Sequence, residues 1–116
     1  MPELTTREAA VQWLESHGWY AAIRDWSFGE SIMAGCGAQT PTGSDGEPIF
    51  IDSIAEPLII YKHMFCIYPD QGAWSAAELA GAGKPARHYS SLTEAVAHTA
   101  SLLAALASDE GQQSNV

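Results

Sequence analysis

The sequence predicts an α+β domain: a single antiparallel β-sheet of four to five strands, with an N-terminal and a C-terminal helix packed on one face. Three observations lead there. Helical periodicity is confined to the two ends of the chain. The middle is β-branched and aromatic, divided by clusters of Gly and Pro. A tight-turn signal, Pro69-Asp70-Gln71-Gly72, joins two of the strand segments. A length of 116 residues suits one domain with a core that needs no disulfide or metal staple. The expectation is a single domain over residues 1–108 and a flexible polar tail over 109–116.

The elements follow in order. Thr5-Thr6-Arg7-Glu8 reads as a capping box in which the Thr5 hydroxyl accepts from the Glu8 amide. Ala9, Ala10, Val11, Trp13 and Leu14 continue at helical spacing to a glycine cap at Gly18, which places a helix over about Thr6–His17. Trp19–Trp26 reads as a strand. Ser31–Ala38 reads as a weaker one, with Gly35 and Gly37 marking a bulge or a close backbone approach. Gln39–Pro48 is a loop by composition, and Ile49–Ile54, Leu58–Tyr68 and Ala73–Leu79 are strand-like. Ala80–Ala86 is a second loop. Ser91-Leu92-Thr93-Glu94 then caps a helix whose stripe, Leu92, Ala95, Val96, Thr99, Leu102, Leu103 and Leu106, ends near Ala107.

Charge carries the functional signal. Asp25, Glu30, Asp45, Glu47, Asp52 and Glu56 lie in a stretch, Asp25–Tyr61, that holds no lysine or arginine. The whole chain has a formal net charge of -9 from fourteen acids and five bases. Such a surface repels nucleic acid and anionic membrane and raises the on-rate of basic proteins. The N-terminus has no signal-peptide pattern, and Cys36 and Cys66 form no disulfide framework, so the expected compartment is a reducing cytoplasm with both thiols free. The apolar run over Pro57–Tyr68 is interrupted by Lys62 and His63 and is short of a membrane span.

Motifs for chemistry are sparse. Cys36 has small neighbours, and a thiol enzyme would need His63 or His88 as its base, yet a small apolar residue on a bulged strand explains Gly35-Cys36-Gly37 equally. His63 and Cys66 are three apart and point to opposite faces of a strand, which opposes a shared metal. His17 reads as a helix C-terminal residue and His98 as an exposed polar one. Gly81-Ala82-Gly83-Lys84 lacks the pattern of a phosphate loop. No catalytic, cofactor or metal residue is expected. Trp19, Tyr20, Trp26, Phe28, Tyr61, Tyr68 and Trp74 are expected mainly in the core, with one or two left as anchors on a partner surface.

The strand at Leu58–Tyr68, the turn, the Trp-bearing strand at Ala73–Leu79 and the helix opening at Tyr89-Ser90-Ser91-Leu92-Thr93-Glu94-Ala95-Val96 share a layout. In this the chain resembles the small bacterial immunity proteins of polymorphic and contact-dependent toxin systems, over about Leu58–Leu106. The resemblance implies an acidic domain that binds a cytoplasm-acting toxin directly, and no binding residue carries over by motif. The expected function is neutralisation of a basic toxin by occluding its active site, through Asp25, Trp26, Glu30, Asp45, Glu47, Asp52 and Glu56. Two alternatives stand beside it: a secretion chaperone or adaptor, and a small enzyme using Cys36 or the carboxylates.

Overall fold

Thr6 starts the first helix. Its backbone is extended and its hydroxyl accepts from the Ala9 amide at 3.1 Å, so it caps α1 (Arg7–Ser16). The capping box expected at Thr5 and Glu8 is thus displaced by one residue. Ala9, not Glu8, takes the third helical position, and it has no carboxylate to reach back with. The other end is a Schellman motif: Gly18 N donates to Glu15 O (3.0 Å) and Trp19 N to Leu14 O (3.1 Å). Gly18 takes φ +89°, which a side chain would disfavour. The computed structural model describes residues 2–26, 29–50, 59–79 and 85–113, with the side chains of Trp26 and residues 109–113 outside that description.

Five strands follow, β1 (Tyr20–Trp26), β2 (Gly29–Gln39), β3 (Ile60–Asp70), β4 (Ala73–Glu78) and β5 (Arg87–Tyr89), before α2 (Leu92–Gln113). They pair antiparallel in chain order, so the sheet is a plain meander. One row of register partners crosses all five: Ile23, Ile32, Ile67, Ala76 and Arg87. The next row is Ala21, Ala34, Phe65 and Glu78. These alternate positions face the helices, as side chains two apart on a strand must share a face. α1 lies on β1 and β2, α2 on β2 to β5, and the two helices touch.

The core forms between that face and the helices. Ile32, Ala34, Phe65, Ile67 and Ala76 meet Leu14 and Ala10 of α1 and Leu92, Ala95, Val96, Ala100 and Leu103 of α2. Trp13, Trp19 and Trp74 pack against it half-buried, which places three of the four tryptophans with the core. The segment before α1 is tied to the start of α2 here. Leu4 is buried, and its amide donates to Thr93 Oγ1 at 2.8 Å. Arg7 adds a second clamp, with its Nε 3.2 Å from Glu30 O and its guanidinium 5.4 Å from the Trp74 ring centroid.

Five expectations need correction. β5 lies in chain the sequence left outside any strand, because Arg87-His88-Tyr89 has no β pattern and is held by pairing with Trp74, Ser75 and Ala76. Ile49 and Phe50 belong to no named strand, and residues 51–54 of that expected strand lie outside the described residues. Pro69 pairs with Trp74 inside the ladder, so the turn narrows to Gln71 (φ 52°) and Gly72 (φ 79°), the two-residue form that suits strand twist. α2 continues past Ala107 to Gln113. Leu106, expected buried, is half-buried. The cap of α2 is as expected, with Glu94 N donating to Ser91 Oγ at 3.1 Å.

Gly35 marks a close approach. A Cβ there would lie 2.8 Å from the His63 carbonyl oxygen and 3.1 Å from Met64 Sδ. Tyr20 of β1 and Tyr61 of β3 stack at 4.3 Å, and β2 runs between their strands.

Two stability outcomes follow. Leu103→Ala, at a site with 0% exposure, should lower the unfolding free energy by about 2–5 kcal/mol in urea titrations. Gly35→Ala should lower the melting temperature although it adds only a methyl group, because the clash is with backbone. An alanine variant at Gly35 as stable as the parent would contradict the strand spacing described.

Candidate functional site

Among the described acids, Asp25 and Glu30 lie apart from Asp45 and Glu47. Asp25 and Glu30 are register partners at the β1–β2 end of the sheet, both exposed. Asp45 and Glu47 lie on the connection that leaves the opposite end of β2. At about 3.3 Å per residue, the 11 residues of β2 hold these attachment points roughly 33 Å apart. Trp26 pairs with Gly29 through its backbone, while Asp52 and Glu56 lie outside the described residues. Like charges directly opposite one another destabilise a strand pair. At the Asp25–Glu30 end, Arg7 reaches the Glu30 carbonyl and supplies an offsetting positive charge.

The connection with Asp45 and Glu47 is an arm closed on itself. Thr42 and Pro48 form an antiparallel bridge, and Ile49 N donates to Pro41 O at 3.0 Å. Inside it Gly43 N donates to Glu47 O (2.9 Å), Gly46 N to Gly43 O (3.0 Å), and Glu47 N to Asp45 Oδ1 (3.1 Å). Asp45 thus spends one carboxylate oxygen shaping the turn, while the residue stays exposed. Ile49 and Phe50, 43% and 53% exposed, stand beside these acids. Ile59 and Ile60 are also exposed, and Ile60 pairs with Gln39 at the base of the arm. The apolar character that made Ile49 and Phe50 look like strand is instead on the surface.

The structure also assembles groups that the sequence kept apart. Cys36 and His63 are register partners, the pair that thiol chemistry would need. The Cys36 thiol, however, points at the Leu103 carbonyl oxygen, 3.9 Å away beneath α2. Cys66 is buried on the opposite face beside its register partner Met33, outside the main core, and neither cysteine is in a disulfide. Next to it a recess of about 480 Å³ is lined by Cys66, Tyr68, Asp70, Ala77 and Leu79. His98, expected as an exposed position, is half-buried and hydrogen-bonded to the Tyr89 hydroxyl, because β5 comes up against α2 there. Burial raises the Tyr89 pKa above its usual value, with the Arg87 charge acting the other way. Among the described residues no group of three or more His, Cys, Asp or Glu is arranged to hold a metal ion, and no helix is long and apolar enough to cross a membrane.

One cluster has the composition of a catalytic triad. Ser75 Oγ donates to Asp70 Oδ2 at 2.9 Å and lies 2.7 Å from His88 Nδ1. The order of the groups is wrong for nucleophilic catalysis. A triad places the imidazole between serine and carboxylate, so that it can take the hydroxyl proton. Here the serine stands in the middle. Its single hydrogen is committed to Asp70, which makes His88 Nδ1 the donor to Ser75 Oγ. The Ser75 side chain is also fully buried. The cluster ties the β3–β4 hairpin to β5. Nothing in the sequence announced it, since residues 70, 75 and 88 meet only through register. Ser75→Ala should therefore lower the unfolding free energy by about 1–2 kcal/mol. In the parent protein, a fluorophosphonate probe should leave Ser75 unmodified by mass spectrometry; labelling would contradict the structural role.

The chain matches no known protein-family model, and comparisons with curated proteins and with solved structures likewise give no match.

Proposed function

We propose that this chain is a small acidic binding protein that neutralises a basic bacterial toxin by occluding its active site, and that the arm over residues 40–50 makes the central contact. The observation that carries this reading is the pairing of exposed apolar side chains, Ile49 and Phe50, with the exposed carboxylates of Asp45 and Glu47 on one self-braced loop. Apolar anchors inside a charged rim are the usual anatomy of a protein interface. A loop whose own hydrogen bonds fix its shape loses little conformational freedom on binding. The net charge of -9 adds long-range attraction for a basic partner.

The division of labour is physical. Rim carboxylates accelerate encounter, whereas apolar anchors govern escape. Among the described residues Asp45 and Glu47 form no ion pair, so both charges are available to a partner.

The test begins with basic proteins encoded beside the gene, expressed and screened for binding. With a partner in hand, Asp45→Lys combined with Glu47→Lys should slow association by roughly tenfold at low salt and flatten its salt dependence. Phe50→Ala should mainly speed dissociation, and the melting temperature should stay close to the parent's in both variants. Unchanged kinetics in both would remove the arm from the interface.

A further inference from the structure

A cleft of about 450 Å³ lies between the second half of α2 and the helix-facing side of β3, β4 and β5. We propose that it binds a small amphipathic carboxylate: an apolar body buried between α2 and the sheet, with its single carboxylate held by Arg87.

The walls set the class of the body. Phe65, Ala76, Leu102 and Leu106 supply apolar surface, and Ala86 and Ala105 complete it with side chains too small to fill the space. Leu102 and Leu106 remain half-buried, whereas Leu92 and Leu103 of the same helix are buried. An occupant in the cleft would cover the first pair. The volume falls in the range of about 300–1,000 Å³ that ligand sites occupy. At roughly 30 Å³ per water-sized group, it holds on the order of ten to fifteen heavy atoms.

The rim sets the class of the head group. Its described charged residues are Arg87 and Glu78. Glu78 already has an interaction of its own. Arg87 is one of five bases among fourteen acids, yet no described carboxylate forms an ion pair with it. A guanidinium presents a planar fork that fits one carboxylate in two-point contact. A phosphate ester calls for several donors, and no serine, threonine, asparagine or glutamine is among the described lining residues. A cationic amphiphile would bring like charge to Arg87. The site is apart from the arm and does not depend on its role.

Calorimetric titration of the full chain with decanoate, decanol and decylamine, each below its aggregation threshold, tests the proposal. Decanoate should bind one to one and at least tenfold more tightly than either of the others. Arg87→Gln, at an exposed position, should reduce decanoate to the affinity of decanol. Ala105→Leu, also exposed, should fill the cleft and weaken decanoate and decanol alike, with thermal melts confirming that both variants fold. Absence of binding, equal affinity for decanol or decylamine, or decanoate binding unchanged in both variants would overturn the proposal.

Discussion

β2 and β3, each 11 residues long, pair in a single register, and the packing of both helices on the sheet depends on it. Because side chains alternate, a slip of one residue would turn Ile32 and Ala34 away from the helices and bring Ser31 and Met33 beneath them. Two features hold the register. The first is the apolar match of Ile32 with Ile67 and of Ala34 with Phe65. The second is Gly35, whose bare backbone admits His63 and Met64 at a distance no side chain would allow. On the far side of β3, the two-residue turn at Gln71–Gly72 fixes β4 against β3 and through it the position of β5. With the rows aligned, α1 and α2 have one apolar surface to cover.

Much of this architecture was legible because periodicity survives in the linear sequence. The stripe from Leu92 to Leu103 and the hydroxyl of Ser91 defined α2 without reference to the rest of the chain. Its distal end was missed because Ser108-Asp109-Glu110 carries no apolar signal, although a helix once nucleated propagates through such residues. β5 was illegible for a different reason. Three residues, two of them Arg and His, form a strand only because β4 offers them a ladder. Pro69 was read as a turn residue, yet it stands beyond the last residue of β3 that pairs with β2, where a missing amide is tolerated.

The acidic stretch illustrates what a sequence cannot place. Six carboxylates in succession look like one surface, but β2 runs through the middle of them and sends Asp25–Glu30 and Asp45–Glu47 to opposite ends of the sheet. Charge order along the chain carries no information on that separation. The exposed side chains of Ile49 and Phe50 were hidden for the converse reason, since β-branched and aromatic residues carry the same signature in a buried strand and on an exposed loop. The Ser75, His88 and Asp70 cluster shows why residue types alone mislead: donors and acceptors in the wrong order make a brace out of the ingredients of a nucleophile.

The bond from the Leu4 amide to Thr93 Oγ1 joins residues 89 positions apart. In the order of synthesis, the strands carrying Ile32, Phe65, Ile67 and Ala76 all emerge before the helix that shelters them. α1 is made first and can cover β1 and β2, but the part of the face on β3 and β4 stays uncovered until α2 is made. Contacts so distant in sequence slow folding, and the interval they create is when neighbouring chains can stick to one another. The high negative charge has a use in that interval that is independent of any partner: it keeps half-made copies apart.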